Sequence, residues 1–310
     1  MATIAVTGLY TLETNLHVAG FPLEYAPVHY PFHGISQGHS GVGFNVSVAL
    51  SGLGNSVRFA TYVGSDFLGD QIISALPDLG LTDRFSLRYC GNTSQSVILV
   101  ASDGNRQIHC DLKDLQDCVY PNEQIPELLD QAQLAVVCNI NFARPVLSSA
   151  RDRGIPVATD VHALGDFDDS YNREFLEAAT IVFLSHENLP CSPVDAVQAL
   201  RSRYCPEVIV VGLGKDGALL SERDQGTLHV PSIEPRGVVN TVGAGDALFS
   251  AFLDQYLLGH SPSIALHRAA LFAGWKVGES GATKGLLSAD SFFDLCGVSQ
   301  LQSRPCKIQK

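Results

Sequence analysis

The 310-residue sequence lacks an excess of positive charge. It has 20 Lys and Arg against 32 Asp and Glu, which gives a net charge of −12 with histidine counted as neutral. Proteins that bind nucleic acid or anionic membrane surfaces need clustered Lys and Arg, because binding releases counterions from phosphates. The acidic balance, with no long run of one sign, excludes a general binder of either kind. We therefore expect no nucleic-acid partner and no membrane partner.

Long apolar runs are also missing. Segments such as Ile181–Leu184 and Val208–Val211 have the length of a strand, far below the roughly 20 residues of a membrane helix. The N-terminal segment Met1–Gly8 has neither the basic region nor the cleavage site of a signal peptide. These features predict a soluble, cytoplasmic protein.

Paired cysteine motifs are absent, although the sequence contains eight cysteines. Without a C-x-x-C pair, the spacing does not indicate a zinc site or a redox pair. Most of the cysteines lie in apolar or mixed segments, which predicts buried, free thiols in a reducing compartment rather than disulfides. They are Cys90, Cys110, Cys118, Cys138, Cys191, Cys205, Cys296 and Cys306.

From about residue 130 onward, short apolar runs alternate with helical patterns. This alternation is typical of βαβ units and a parallel sheet. Helices are expected from Pro145 to Arg153 and from Pro193 onward, the latter capped by Ser192. Polar residues and glycines end the strands, and the carboxyl ends of parallel strands line the ligand crevice. The predicted strands are Leu134–Asn139, Ile155–Asp160, Thr180–Ser185 and Val208–Gly212.

The first 120 residues have a different pattern, with polar-interrupted segments joined by glycine and proline. We predict an antiparallel hairpin set that forms a small β lid, built from parts of 12–35 and 96–112, within one domain spanning 1–310. One helix is expected from Val46 to Leu53 with Asn45 as N-cap, and a second from near Asp66 to about Pro77. The predicted lid strands are Leu12–Ala19, Ala26–Gly34, Ser96–Ala101 and Gln107–Leu112.

The segment from Asn240 to Asp246 carries the strongest chemical signal. Gly243, Ala244 and Gly245 precede an apolar helical stripe, so they leave backbone N–H groups uncovered at a helix N-terminus. Such groups and the helix dipole attract an anion. Asp246 lies where a carboxylate can accept a proton from a hydroxyl that attacks a bound phosphate. The alternative is a tight turn followed by a solvated first-turn acid.

Four ordered motifs decide between these interpretations. Together they resemble the signatures of the ribokinase-like (PfkB) carbohydrate and nucleoside kinases, and they span about residues 4 to 285. The motifs are Ser40-Gly-Val-Gly-Phe-Asn45, Val63-Gly-Ser-Asp66-Phe-Leu-Gly69, Val211-Gly-Leu-Gly214-Lys-Asp-Gly217 and Thr241-Val-Gly-Ala-Gly-Asp246.

The resemblance implies a ribokinase-like α/β fold, a three-layer sandwich with a mostly parallel central sheet and a β lid. It also implies ATP as phosphate donor and Mg2+ as its counter-ion. Asp246 then corresponds to the catalytic base. Other implied roles are the phosphate cradle (Gly243, Ala244, Gly245), acceptor binding (Glu13, Gly41, Asn45) and nucleotide binding (Ser185, Gly212, Gly214, Gly217, Thr241, Gly243, Ala273).

Several positions depart from the family pattern. Asn240 replaces the aspartate before the signature threonine, and Glu13 replaces a hydroxyl-binding aspartate. The family's N-x-x-E element aligns with Ser185-His-Glu187-Asn188, so Glu187 is the candidate Mg2+ residue from a shifted position. Gly281–Thr283 is the expected place of a monovalent cation (K+), as in some relatives.

Arg106 is expected on a lid strand, where its side chain reaches the acceptor or a phosphate. The alternative is an ordinary exposed strand arginine.

The predicted function is an ATP-dependent kinase that phosphorylates a hydroxymethyl group of a sugar or sugar-like acceptor. A nucleoside kinase of the pseudouridine type is the alternative enzyme, because Gly41-Val-Gly-Phe-Asn45 and Cys138-Asn139-Ile140 are similar to that group. A catalytically silent ligand-binding regulator is the alternative of another class. The sequence leaves open whether the lid forms a homodimer or stands alone.

Overall fold

The computed structural model describes residues 1–89, 91–102 and 105–298. The strands in chain order are β1 (Thr3–Thr7), β2 (Thr11–Val18), β3 (Ile35–Ser40), β4 (Ser56–Gly64), β5 (Ser86–Tyr89), β6 (Gln95–Ala101), β7 (Arg106–Asp111), β8 (Leu134–Val137), β9 (Val157–Ala163), β10 (Ile181–Ser185), β11 (Val208–Gly212), β12 (Ala218–Glu222) and β13 (Thr227–Val230). The helices are α1 (Val42–Gly52), α2 (Phe67–Ala75), α3 (Ile125–Leu128), α4 (Arg144–Asp152), α5 (Arg173–Ala178), α6 (Pro193–Tyr204), α7 (Ala244–Leu257), α8 (Pro262–Lys276) and α9 (Ala289–Val298).

The main sheet has the strand order β13-β12-β11-β10-β9-β8-β1-β4-β5 in the described part of the chain. Its strands pair in parallel except at β12 and β13, which join by antiparallel pairing. Helices α1, α2, α7 and α8 pack on one face, and α4, α5 and α6 pack on the other. Covered on both sides, β8 and most of β11 are wholly buried, as parallel strands require. The predicted three-layer α/β fold is confirmed.

Side-chain caps start two helices where the sequence predicts them. Asp66 accepts a hydrogen bond from the Gly69 N–H group at 2.8 Å and begins α2. Ser192 accepts one from the Asp195 N–H group at 3.2 Å and begins α6. Because each cap satisfies a donor that the helix leaves unpaired, these local signals fix the helix starts.

Helix α1 begins four residues before the predicted start. Its N-cap is Gly41, at φ 106°, so the prediction of Asn45 as N-cap is wrong. A Cβ atom on Gly41 would lie 2.5 Å from the carbonyl oxygen of Leu9, which only glycine tolerates. The earlier start places Asn45 inside the first turn, with its side chain buried.

The lid is a separate sheet with the order β3-β2-β6-β7. The predicted strand Ala26–Gly34 is wrong, because the strand is β3, which follows it. Three prolines between residues 20 and 34 lack the N–H group that a strand ladder needs. The prediction of a wholly antiparallel set is also wrong, since β2 and β6 pair in parallel. They run in the same direction because α1, β4, α2 and β5 lie between them in the chain.

The six described cysteines are free thiols, but most of them are not buried as predicted. Only Cys138 is buried among them, while Cys110, Cys191 and Cys205 are exposed. Cys110 lies on β7, an edge strand of the lid that is exposed along its whole length. The remaining two, Cys90 and Cys306, lie outside the described residues.

Within the described ranges, no helix has both the length and the apolar character that crossing a membrane requires.

Candidate active site

The site forms around the N-terminus of α7. Gly243 is the N-cap in the left-handed conformation, at φ 77°, and a Cβ atom there would lie 2.5 Å from the carbonyl oxygen of Ala282. The position therefore requires glycine. A Cβ atom on Gly245 would meet no atom within 4 Å, so its surroundings are open. The first turn of α7 therefore has open space next to Gly245, where a ligand could lie.

The backbone N–H groups at this turn provide donors for an anion. Those of Gly243, Gly245 and Asp246 have no hydrogen-bond acceptor among the described residues. The Ala244 N–H group differs, because it donates to the Thr241 carbonyl oxygen at 3.1 Å. Open N–H groups at the positive end of a helix attract negative charge. Such a turn can bind an anion such as a phosphate.

Asp246 lies in the first turn of α7, beside these donors. Its Oδ2 atom accepts a hydrogen bond from Asn45 Nδ2 at 2.7 Å. Burial raises the pKa of Asp246 to about 6, the negative charge of Asp160 adds to the shift, and the bond from Asn45 opposes it. The carboxyl group is therefore oriented by Asn45 and is a stronger base than an exposed aspartate.

Asp160 and His162 lie two residues apart on β9. Asp160 is a buried residue of β9, and its Oδ1 atom accepts a hydrogen bond from the His162 N–H group at 2.8 Å. His162 Nδ1 lies 3.6 Å from the same oxygen, with the ring partly exposed. Asp160 acts electrostatically on Asp246, so the carboxyl end of β9 faces the N-terminus of α7.

Lys276, the last residue of α8, is fully buried beneath the same loop. Its Nζ atom donates a hydrogen bond to the carbonyl oxygen of Val242, the residue before Gly243. Burial lowers the pKa of Lys276 to about 8, while the charges of Asp246 and Glu13 act to raise it. A cation therefore lies within electrostatic range of the candidate base.

The lid directly contacts the loop before α7, residues 240–243, which is called the signature loop below. Arg106 Nη1 donates to Thr241 Oγ1 at 2.6 Å, and Ile98 packs with Val242 and Ala282. These contacts bring two elements together that are more than 130 residues apart in the chain. The lid strands thus close one side of the space in front of α7.

Glu13 lies on β2 of the lid and is buried. Its Oε1 atom accepts a hydrogen bond from Asn15 Nδ2 at 2.8 Å. Glu13 also acts electrostatically on Lys276, which places its carboxylate on the same side as the signature loop.

An open cleft of about 750 Å3 lies beside Arg106, between the lid hairpin and the segment after β2. It is large enough for a ligand with more than one ring. The lining residues are Phe21, Pro22, Leu23, Asn105, Arg106 and Gln107.

The predicted nucleotide-side residues lie at the ends of β10 and β11. Ser185 is paired with Gly212 across the two strands, and His186 Nδ1 lies 3.0 Å from the Gly212 carbonyl oxygen. Gly214 and Gly217 both have positive φ, at 61° and 95°, so the turn after β11 depends on glycine. The backbone here is exposed at the sheet edge where parallel strands bind ligands.

Two other predicted residues have different surroundings. Ala273 packs against the main core from α8. Glu187 is exposed just after β10, and its N–H group donates to Ser185 Oγ at 3.1 Å. Among the described residues, no group of three or more His, Cys, Asp or Glu side chains is arranged to hold a metal ion.

The structure thus joins residues that the sequence keeps apart. Asn45 contacts Asp246, Arg106 contacts Thr241, and Glu13 lies within electrostatic range of the loop. A comparison with a family model decides the class of protein: the model of the pfkB family carbohydrate kinases matches residues 1–289. The chain belongs to the PfkB family. The membership predicted from the four motifs is confirmed.

Curated relatives of this PfkB chain act on sugars. Deoxyribokinase of Salmonella typhi is 26% identical over 313 aligned positions, covering 96% of this chain and 99% of that enzyme. The 1-phosphofructokinase of Haloferax volcanii is 29% identical over 273 positions, covering 84% and 86%. The acarbose 7(IV)-phosphotransferase of an Actinoplanes species is 25% identical, covering 86% and 89%.

Solved structures of similar proteins have the same fold. A microbiome-derived acarbose kinase, Mak1, superposes with a TM-score of 0.84 at 24% identity, covering 96% of this chain and 99% of that one. Ribokinase of Arabidopsis thaliana, complexed with ribose and ATP, gives 0.80 at 20% identity with the same coverage. The ribokinase-like fold of this PfkB chain is confirmed.

Sequence reasoning missed Lys276. The signal available for this residue is a second cation at the C-terminal end of the apolar helix α8, eight residues after Arg268. A lysine in the last turn of a helix usually interacts with the helix dipole at the surface, so the sequence pattern gives no reason to bury it.

Proposed function

We propose that this PfkB protein is an ATP-dependent kinase that transfers the γ-phosphate to a hydroxymethyl group of a sugar or sugar-like acceptor. The observation that carries the proposal is Asp246, which Asn45 orients beside the open N–H groups of the α7 turn. The named relatives support it, because deoxyribokinase, 1-phosphofructokinase and acarbose 7(IV)-phosphotransferase all phosphorylate sugars or sugar derivatives.

In the proposed reaction, Asp246 accepts the proton of the acceptor hydroxyl as its oxygen attacks the γ-phosphorus. A new O–P bond forms, the bond from the γ-phosphorus to the β–γ bridging oxygen breaks, and ADP leaves with that electron pair. The N–H groups of Gly243 and Gly245 donate to the phosphoryl oxygens, where negative charge collects. The Gly243–Gly245 cradle, Ala244 included, forms the backbone frame that holds these donors.

Magnesium fits the donor set if it is held mainly by phosphates and water, since Mg2+ needs only one or two protein carboxylates. Asp160 and Glu187, at the ends of neighbouring strands β9 and β10, are the carboxylates that would hold it. When bound, the ion neutralises charge on the transferred phosphoryl group. These carboxylates would bind the ion directly or through water.

We assign nucleotide binding to the glycine-dependent turn after β11 and to the loop before α7. Gly214 provides backbone at the sheet edge. Gly217 must be glycine for a structural reason as well, because a Cβ there would clash with the Val230 carbonyl oxygen. The full proposed set is Ser185, Gly212, Gly214, Gly217, Thr241, Gly243 and Ala273.

Acceptor binding is assigned to the lid side of Asp246. Glu13 presents a buried carboxylate, which can accept hydrogen bonds from two vicinal hydroxyl groups. Asn45 is held in place by the Gly41 turn. The buried Oδ1 atom of Asn45 has no partner among the described groups, so it can accept a hydrogen bond from an acceptor hydroxyl. Arg106 faces the cleft of about 750 Å3, where the rest of a larger acceptor fits.

A homodimer through the lid is part of the proposal, and the exposed apolar side chains Ile35 and Val97 support it. The use of ATP, a metabolite of the cytoplasm, supports the expected cytoplasmic location.

The test is an ADP-release assay with Mg-ATP and a panel of pentoses, hexoses, phosphorylated sugars, oligosaccharides and nucleosides. We expect turnover with at least one sugar and none in the Asp246→Asn variant. Turnover with nucleosides alone would select the nucleoside kinase instead. Ligand-induced shifts in melting temperature without any turnover would select a regulator and contradict the proposal.

A further inference from the structure

Lys276 is a buried cation that the mechanism above does not use. Its side chain is 0% exposed, and its Nζ atom donates to the Val242 carbonyl oxygen. Removing an ammonium group from water is costly unless charges or hydrogen bonds compensate it. The contact is with the loop that presents the phosphate-binding N–H groups, so the charge lies at the base of the site.

The same end of α8 holds this loop by further hydrogen bonds. The N–H groups of Val239 and Asn240 both donate to the Val277 carbonyl oxygen, at 2.7 and 3.1 Å. The Asn240 side chain in turn accepts from the Val242 N–H group at 2.7 Å. Residues 239 to 242 are therefore fixed against the helix end, and the bond from Lys276 continues that series.

Lys276 keeps much of its basicity although it is buried. Burial and the charge of Arg106 from β7 lower its pKa, while the negative charges of Asp246 from α7 and Glu13 from β2 act to raise it. The result is a pKa of about 8, so the group is mostly charged at neutral pH. Positive charge at this position offsets the negative charge that collects on a phosphate bound in front of the loop.

A monovalent cation does not fit beside this lysine. The expected cation residues Gly281–Thr283 border the same loop, since Ala282 packs against Val242 and its carbonyl oxygen lies against Gly243. A cation beneath the loop needs carbonyl ligands, and the ammonium group of Lys276 already binds the carbonyl of Val242. A second positive charge next to it would be repelled.

We propose that the ammonium group of Lys276 is a built-in cation that takes the place of a monovalent ion beneath the phosphate-binding loop. The inference rests on the proposed kinase function. It makes Lys276 a positioning residue: it acts through the Val242 carbonyl and through its charge. The wild-type enzyme then needs no K+.

The test compares wild type and Lys276→Ala in choline, sodium, potassium and ammonium chloride at one ionic strength. Wild-type kcat should be the same within about twofold in all four salts. The Lys276→Ala substitution should lower kcat roughly 100-fold in choline chloride, the scale of losing one oxyanion contact. Ammonium or potassium should restore part of that loss, because a small cation can enter the space that the side chain leaves.

Two further variants separate a charge effect from a packing effect. Lys276→Met keeps most of the volume without the charge, so it should be slow and should gain little from added ammonium. Lys113→Met, which removes an exposed lysine paired with Asp111, should behave as wild type in every salt. Wild-type activation by K+ of more than about fivefold, or Lys276→Ala activity equal to wild type in choline, would overturn the proposal.

Calorimetric binding of a non-hydrolysable ATP analogue provides a readout that does not need turnover. Its affinity for wild type should be equal in choline and potassium chloride, whereas Lys276→Ala should bind more tightly in ammonium or potassium than in choline. If the affinity of Lys276→Ala is also the same in choline, potassium and ammonium chloride, the inference is wrong. If no acceptor is phosphorylated while the binding results are as expected, the proposed function fails and the built-in cation stands.

Discussion

Asp246 combines three properties that an exposed first-turn aspartate does not have. It accepts a hydrogen bond from Asn45, its pKa is raised by burial, and it lies among N–H groups that have no acceptor in the described chain. The first property fixes its direction, the second strengthens it as a base, and the third offers donors for a phosphate beside it. Each property can be removed separately.

Replacing Asp246 by Asn removes the base but preserves the shape of the side chain. We expect kcat to fall about 1,000-fold or more, because no group in the turn can then accept the hydroxyl proton. Affinity for the nucleotide should stay within a few-fold, since the N–H groups are unchanged. Steady-state kinetics and calorimetry with an ATP analogue measure the two effects.

The matched control is Asp290→Asn, which removes an exposed acid from the first turn of α9. Its kinetics should equal those of wild type. Comparable turnover in the Asp246 and Asp290 variants would show that Asp246 is not the base.

The acid limb of the pH profile should report Asp246. A carboxyl group whose pKa is raised to about 6 is protonated below that pH and cannot accept a proton, so kcat should fall as pH drops through about 6. The Asn45→Ala variant loses the hydrogen bond that lowers this pKa, and its acid limb should move to higher pH. An unchanged acid limb would show that Asn45 does not lower the pKa of Asp246.

The basic limb should report Lys276. Its pKa of about 8 means that the ammonium charge is lost as pH rises through that value, while Asp246, Glu13 and Arg106 are the charged groups that act on it. We expect kcat to decline above about pH 8 in wild type and to be flat there in Lys276→Met. A basic limb that persists in the variant belongs to another group.

At the scale of single residues, the sequence predicts the base and the glycine turn but not the groups that adjust them. The motif 241–246 has a fixed local geometry, since Gly243 needs positive φ and Asp246 must fall in the first helical turn. Lys276 comes from α8, and no local pattern connects it with the motif. Asp160 is expected at a strand end that lines the crevice, but its electrostatic action on Asp246 follows only from the structure. Their roles depend on burial, which the sequence does not record.

Among the elements, α1 determines the position of Asn45. The helix starts at a glycine in a conformation that other residues avoid, directly against the carbonyl oxygen of Leu9. The Phe44 N–H group donates to that same oxygen at 3.1 Å, so the turn is held from both sides. A shift of this helix start would move Asn45 away from Asp246.

Gly41→Ala should therefore damage both stability and catalysis. The added Cβ meets a backbone atom and the φ of 106° is strained for alanine, so we expect a loss of about 1–3 kcal/mol in unfolding free energy. Activity should fall as well, because the Asn45 hydrogen bond is disturbed. Chemical denaturation and kinetics at 25 °C measure both.

Gly226→Ala is the control, since Gly226 is exposed between β12 and β13 and a Cβ there would meet no atom within 4 Å. It should change neither quantity by much. If Gly41→Ala behaves in the same way, the turn before α1 is not the constraint that positions Asn45.

The predictions of elements succeeded where local chemistry decides them. Asp66 and Ser192 cap their helices because their side chains bond to the backbone three residues on, which a sequence pattern can identify. The start of α1 was missed, because a glycine cap has no such bond and Asn45 mimics a capping residue. The parallel pairing of β2 with β6 depends on the path of the intervening chain, which periodicity does not encode.

For the whole molecule, the outer face of the lid sheet carries exposed apolar side chains on neighbouring strands. Val97 pairs with Thr14, and Leu16 pairs with both Ile35 and Leu99. Because cross-strand partners and alternate residues share a face, Ile35, Val97, Leu16 and Leu99 lie on one side of the sheet. Ile35 is 62% exposed and Val97 is 39% exposed. Such a face favours association with a second copy over a solvated monomer.

We therefore expect the protein to elute as a dimer of the 33.2 kDa chain, and light scattering on the eluting peak should measure about twice that mass. Ile35→Asp or Val97→Asp should shift the mass to one chain, because two like charges would face each other across a symmetric interface. Leu258→Asp, a change at an exposed apolar residue after α7, should leave the dimer intact. A monomeric wild type, or a dimer that survives both lid changes, would contradict an interface on this face.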